Sequence, residues 1–360
     1  MGAKKATKSS KKDTQRQEII EKRVKAEKVN LDHPQGREQF ERVLKRVGDP
    51  KNQPNNSLKE AAKFGHPTGG AAIPDDSKAT SLVISQVLAQ TWGITEPLDP
   101  LSTGSTARVW SAGDKIVKLA RDDSAHFNVG LRASLAIQAN GIEAGAPNRT
   151  TSGEISKTIT VNNKQWMMAV FQRVGGTSIS MHAFPPAVLG ELLARIHISL
   201  LPIGSSGAWT VADVLGHMRR GVLKEQPLST QQLILASVEA VQVWYDTVHP
   251  PMQLIRGDGP EILSQDQENI TAIIDWGGVR FGSVVDDIGC WTVHGATDVV
   301  PIKEYTELFM QGYMTIGAVT PEEREAIPLF QRLRVASRLC YVTDRDALAV
   351  TEEWMGNISR

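Results

Sequence analysis

LIRGDGPEILSQDQENITAIIDW, residues 254 to 276, is the stretch on which the fold turns. Glu261 to Ser264 and Ile270 to Ile274 read as two short apolar strands around the polar turn Gln265-Asp266-Gln267-Glu268-Asn269, which is a hairpin pattern. Asp258 precedes the first strand in a Gly-Asp-Gly-Pro loop, and Asp275 follows the second. Pairing across the turn is expected to bring these two carboxylates close together at the open end of the hairpin. Two carboxylates on a rigid ribbon, beside glycines that leave room for a ligand, suit a proton acceptor next to a divalent-metal ligand.

Upstream, SLVISQVLAQTWG reads as an amphipathic helix that Gly93 closes. LDPLSTGSTARVWSAGDKIVKLAR then offers three strands, with the small-residue turn Ser102-Thr103-Gly104-Ser105-Thr106 between the first two. A turn rich in amides and hydroxyls can fold over phosphate oxygens, although most such turns only connect strands. Lys118 lies within the apolar strand Ile116-Val117-Lys118-Leu119-Ala120. An ammonium there needs an anionic partner or a route to water, so it reads either as a phosphate-binding group or as an edge-strand lysine. A helix from His126 to Asn140 and two strands, Ile155 to Val161 and Trp166 to Phe171, complete the sheet-rich part. Beyond Gly176 the periodicity is helical: 186–200, 211–223, 230–247, 284–294, 303–316 and a last helix from Pro321 to about Thr343. His197 reads as a packed or capping histidine rather than a ligand. A small antiparallel sheet followed by a helix-rich region is an α+β order.

The hairpin resembles the catalytic loop and metal-binding ribbon of the aminoglycoside phosphotransferase and choline kinase group, small-molecule kinases with a two-lobed protein-kinase-like fold. The family pattern is His-Gly-Asp, four variable residues, Asn, two strands and Ile-Asp-Trp or Ile-Asp-Phe. This chain has Arg256-Gly257-Asp258 and Ile273-Ile274-Asp275-Trp276, and Gly282 to Gly289 resembles the family's following Gly-Asp-Pro-x-x-Asp-Leu-Ala. The resemblance implies transfer of a phosphoryl group from ATP or GTP, with Mg2+, to a hydroxyl of a small molecule. It implies Asp258 as the group that accepts or orients the hydroxyl and Asp275 as a metal ligand. Lys118 would hold phosphates beneath a flap of Ser102, Thr103, Gly104 and Ser105, with Gln172 and Val174 in a hinge that holds the base through main-chain groups. Asp287 would bond the main chain of the catalytic loop, and the acceptor pocket would be built from 209–244 and 291–313.

Three departures accompany this resemblance. Arg256 replaces the usual histidine, where a guanidinium would favour ionised Asp258 or Asp275 and could clamp a carboxylate. Glu261 stands where asparagine supplies a second metal ligand, but the loop from Asp258 is two residues shorter, up to roughly 7 Å of extended chain. The helix glutamate that pairs with the lysine is absent, its neighbourhood holding Val129, Gly130 and Arg132, so either it is missing or Glu143 or Glu154 replaces it. These departures keep a second reading open, a catalytically impaired pseudokinase that binds nucleotide or a partner.

Over 360 residues the 40 basic and 40 acidic side chains cancel, yet ten of the basic ones crowd the first 28 positions. Residues 1–79 read as a basic extension, partly disordered or helical, 80–174 as the nucleotide-binding sheet lobe and 175–360 as the helical lobe. Nucleic acid is not an expected partner, except through that tail, which lacks interleaved aromatics. The two cysteines, Cys290 and Cys340, form no CxxC pair and no disulfide framework, so a reducing cytoplasm is the expected compartment. No apolar run approaches a membrane span. Walker, GxSxG, HExxH and GxGxxG patterns are all absent.

Overall fold

The computed structural model describes residues 78–101, 107–121, 124–221, 227–297 and 300–340. The basic extension, the turn carrying Ser102, Thr103, Gly104 and Ser105, and the end of the chain from 341 lie outside the described residues.

The fold is α+β, with an antiparallel-sheet lobe followed by a helical one. Helix α1 (Lys78–Trp92) ends where Gly93 takes a φ of +68°. Strands β1 (Leu98–Pro100), β2 (Ala107–Ala112), β3 (Lys115–Arg121), β4 (Lys157–Val161) and β5 (Lys164–Gln172) form one sheet in the order β1-β2-β3-β5-β4, every pairing antiparallel. Asn162 and Asn163 close the β4–β5 hairpin with φ of 52° and 58°, the left-handed pair that a two-residue turn requires and that asparagine tolerates. Alternation along β3 decides where Lys118 goes. Val117 and Leu119 are fully buried against Ile84 and Leu88 of α1 and Trp110 of β2, worth about 1.5–3 kcal/mol each, and this sends Lys118 to the opposite face. Strand β3 is bonded on both sides, by β2 and β5, so Lys118 is not on an edge.

Helix α2 (Ser124–Ala139) lies between β3 and β4 in the chain. The chain leaves the sheet through β6 (Thr177–Ile179), which pairs with β9 (Glu261–Ser264) and so becomes the third strand of the hairpin that β9 makes with β10 (Ala272–Ile274). A second small sheet joins β7 (Trp209–Thr210), β11 (Arg280–Gly282) and β8 (Gln253–Ile255). Around these pack α3 (Pro186–Leu200), α4 (Val211–Gly221), α5 (Leu228–Val248), α6 (Val284–Gly295) and α7 (Ile302–Tyr313). The expected last helix is broken into α8 (Pro321–Glu325) and α9 (Ile327–Leu339). Pro328 has no N–H to carry the ladder past Ala326, which accounts for the interruption. None of the described helices is long and apolar enough to cross a membrane.

Helices α3 and α7 meet through glycines. A Cβ at Gly190 would collide with the Phe309 carbonyl, and one at Gly312 with the Ala187 carbonyl. Neither obstacle is a flexible side chain. Gly312→Ala is therefore expected to destabilise the chain by about 1–3 kcal/mol in urea unfolding, because the helices must separate. An unchanged midpoint would show that this crossing is loosely packed.

Candidate active site

Lys118 and Asp275, 157 residues apart, form an ion pair at 2.8 Å between the ammonium and Oδ1. The pair is open to ligand, with 21% of the Lys118 side chain and 53% of that of Asp275 exposed. Asp275 is held in the left-handed region at φ 61°, which reverses the chain immediately after β10. Its Oδ1 also takes a long bond from the Gly277 N–H at 3.4 Å. Helix α2 and the chain just after it brace this turn. His126 Nε2 meets the Gly277 carbonyl at 3.0 Å and stacks on Trp209, and the Trp276 indole donates to the Ala144 carbonyl at 2.8 Å.

The same packing explains the missing helix glutamate. A Cβ at Gly130 would lie 2.5 Å from the Trp276 carbonyl, so no side chain fits where α2 faces the turn. Neither candidate replacement reaches Lys118. Glu143 accepts from the Gly145 N–H, Glu154 accepts from Ser152, and Asp275 itself is the lysine's acidic partner.

Glu261 opens β9 opposite Ile274, one residue before Asp275. Its residue surface is exposed, yet its carboxyl is crowded enough that desolvation and then the Asp275 charge raise its pKa, with Arg256 and Lys118 acting the other way. Two carboxylates that repel each other beside a lysine suit a divalent cation and phosphate oxygens. Asp275 and Glu261 thus fit a metal ion on the chemistry of their oxygens. A carboxyl whose folded pKa is raised binds its proton more tightly when folded. Stability is then greatest below the unfolded value, about 4.3, and falls as pH rises through the folded one. Glu261→Gln is expected to melt higher than the parent near pH 7 without divalent ions, and the difference should close as pH falls towards about 4. A lower melting point at neutral pH would contradict the crowding.

The loop before Asp258 is held by buried polar groups. Asp287, fully buried, accepts from the Arg256 N–H at 2.6 Å and the Gly257 N–H at 2.7 Å, while His197 Nε2 lies 2.9 Å from the same carboxylate. His197 also meets the Tyr313 hydroxyl at 2.8 Å, so it is a packed histidine. Gly257 has a φ of 77° and its Cα approaches the Gly278 carbonyl too closely for a side chain. Arg256 corrects an expectation. Its guanidinium clamps no carboxylate: it donates to the carbonyls of Asp275 (3.1 Å), Gly259 (2.9 Å) and Ile274 (3.2 Å), with Trp276 4.8 Å away across the ring face. The side chain is buried and ties the Asp258 loop to the end of β10 through main-chain groups.

The two ends of the hairpin that carry Asp258 and Asp275 are joined by Arg256, which donates to the carbonyls of both Gly259 and Asp275. Asp258 Oδ1 accepts from the Gly259 N–H at 2.7 Å and from Arg334 of α9 at 2.6 Å, and its carbonyl accepts from the Trp291 indole at 3.2 Å. Arg334 also donates to His294 Nε2, as close as 2.8 Å. Gly259 packs so tightly that a Cβ would sit 2.8 Å from the His294 ring. Ligand atoms of Asp258, Cys290 and His294 lie within 4.8 Å of one another, a grouping that could in principle hold a metal. Arg334 already bonds two of the three, and burial pushes the Cys290 thiol up to about 12. A cation is better accommodated at Asp275 and Glu261.

At the end of β5, the Gln172 side chain is engaged within the sheet lobe, accepting from Lys115 at 2.7 Å and donating to Asp114 at 3.0 Å. Gly176, at φ 112°, passes against the main chain of Ser264, which brings β6 to β9 beside Val174 and Gly175. Sequence reading did not single out Arg334, Arg338 or His294. The one local signal was Arg334 and Arg338 four residues apart, hence neighbours on one helical face.

Solved structures share this architecture. Amicoumacin kinase hAmiN, in complex with AMP-PNP, Ca2+ and Ami, aligns with a TM-score of 0.60 at 12% identity over 84% of this chain and 95% of that one. The fold is protein-kinase-like. A microcompartment-associated aminopropanol kinase aligns with a TM-score of 0.59 at 15% identity, over 77% of this chain and 95% of the other. A spectinomycin phosphotransferase in complex with ADP and its antibiotic gives 0.52 at 14%, over 78% and 94%. No protein-family description and no curated protein sequence matches the chain.

Proposed function

We propose that this chain is a small-molecule kinase that moves the γ-phosphoryl group of ATP to a hydroxyl, with Mg2+ as the divalent ion. The observation that carries the reading is the Lys118–Asp275 pair, which joins the central strand of one lobe to the hairpin of the other at the open end where Glu261 also lies. Phosphoryl transfer asks little covalent chemistry of the protein beyond positioning and charge. Lys118 would face phosphate oxygens, Asp275 and Glu261 would hold the cation, and Val174 lies at the chain crossing where main-chain groups can meet a base. Once bound, the ion supplies positive charge to the phosphates. Asp258 would take the hydroxyl proton as the new oxygen–phosphorus bond forms and the bridging oxygen–phosphorus bond breaks, its electron pair leaving with ADP. Support comes also from the fold neighbours, which include an amicoumacin kinase solved with AMP-PNP and Ca2+ and a spectinomycin phosphotransferase solved with ADP.

The test is ADP release across a panel of hydroxyl compounds, with nucleotide binding measured separately by thermal shift. Asp275→Asn and Lys118→Met are each expected to lower transfer by about 10²–10³-fold, the usual cost of one electrostatic group. Undiminished transfer in either variant would remove the site assignment. Nucleotide binding with no transfer to any compound would leave a nucleotide-binding module instead.

A further inference from the structure

The geometry points to an anionic acceptor: Arg334 and Arg338, beside Asp258, form a receptor for a carboxylate or phosphate group carried by the hydroxyl compound. This inference rests on the kinase reading and concerns its substrate class.

Helix α9 presents the two arginines one turn apart, and both converge on His294. Arg334 bonds Nε2 at 2.8 Å, and Arg338 lies 3.1 Å from Nδ1 and 3.2 Å from Nε2. Burial and the two guanidiniums hold His294 well below its usual pKa, so the imidazole is neutral and balances neither charge. Asp258 is the one carboxylate bonded to this pair among the described residues, through Arg334. The other nearby acids are already engaged. Asp286 pairs with Arg280 at 2.8 Å, and Asp287 is taken up by the Arg256 and Gly257 amides and His197. Cys290 stays a neutral thiol, and His182, whose Nδ1 meets the Gly295 carbonyl, is shifted towards its neutral form by burial.

Among the described residues, two guanidiniums against one carboxylate leave a net positive charge in a desolvated wall, and such a charge is costly unless an anion joins it. Desolvation and the neighbouring Arg334 bring Arg338 down to about 10, the strain that an added anion would relieve. The guanidinium fork suits the paired oxygens of a carboxylate or phosphate. The place is reachable, since 23% of the Arg334 side chain and 30% of that of Asp258 are exposed. A cationic amine would meet the same two arginines as like charges, which selects against it.

The experiment uses the full chain with Mg2+. Transfer from ATP is compared for glycerol, ethanolamine, D-glycerate and glycerol 3-phosphate, which share a hydroxyl and differ in charge. Sulfate, as a minimal oxyanion, is titrated calorimetrically into protein saturated with AMP-PNP, so that the nucleotide site is filled. Expected are at least a tenfold preference for an anionic acceptor over glycerol and ethanolamine, and sulfate binding that Arg338→Gln weakens at least tenfold. Arg338→Lys should restore part of both, and nucleotide affinity should be the same in all three proteins. Glycerate and glycerol 3-phosphate separate carboxylate from phosphate recognition. A preference for ethanolamine, or anion binding indifferent to Arg338→Gln, overturns the inference while leaving the kinase reading intact. If no compound is phosphorylated, the kinase reading fails; sulfate binding lost in Arg338→Gln would still sustain the anion receptor, and its absence from the parent protein would end it.

Discussion

Asp258→Asn is expected to lower phosphoryl transfer by about 10²–10⁴-fold, the usual contribution of a positioned proton acceptor. The substitution is nearly isosteric. An asparagine oxygen can still accept from the Gly259 N–H and from Arg334, the two bonds that orient Oδ1. What disappears is the negative charge and the ability to take a proton at that position. Nucleotide affinity should persist, because the proposed function assigns the phosphates to Lys118 and the cation to Asp275 and Glu261 rather than to Asp258. The outcome is read as kcat on an accepted hydroxyl compound together with a melting curve. Parent-like turnover would show that the Arg334-bound carboxylate plays no part in proton transfer. A fall in melting temperature matching the loss of activity would place its role in holding α9 instead.

The second large effect concerns stability. Asp287→Ala is expected to destabilise the chain by about 3–5 kcal/mol, the cost of removing a buried carboxylate from the groups bonded to it. Three contacts converge on it, from the Arg256 N–H, the Gly257 N–H and His197, in a place with no access to water. Asp287→Asn should fall between parent and alanine, since one oxygen can satisfy only part of that set. Because Asp287 fixes the main chain leading into Asp258, turnover should fall along with stability even where the variant still folds. Urea unfolding monitored by tryptophan fluorescence gives the first quantity, and ADP release below the transition gives the second. A loss of under about 1 kcal/mol for the alanine variant would mean that the loop finds other partners or water.

The part of the molecule legible in sequence was what local pattern controls. The β9–β10 hairpin, the apolar strand around Lys118, the helix stop at Gly93 and the order of sheet before helices all follow from short-range periodicity and turn chemistry. That Asp287 bonds the main chain of the loop before Asp258 was implied by the family resemblance of residues 282–289. The short strands β6, β7, β8 and β11 escaped because two or three residues hold too little pattern to signal a strand, and each exists only through its partner.

The sequence by itself determined that two aspartates bracket a hairpin and that a lysine lies within an apolar strand where it needs an anionic partner or a route to water. Only the tertiary structure decided whom they meet. Lys118 found Asp275 because Gly130 lets α2 close on the turn, and Asp258 found Arg334 because α9 packs on α6, bringing together residues 76 apart in the chain. Arg256, read as a partner for carboxylates, met carbonyls instead because it lies inside the loop it holds. Periodicity records which face of an element is buried; the charges that meet across a cleft depend on how those faces stack, and no local spacing encodes that.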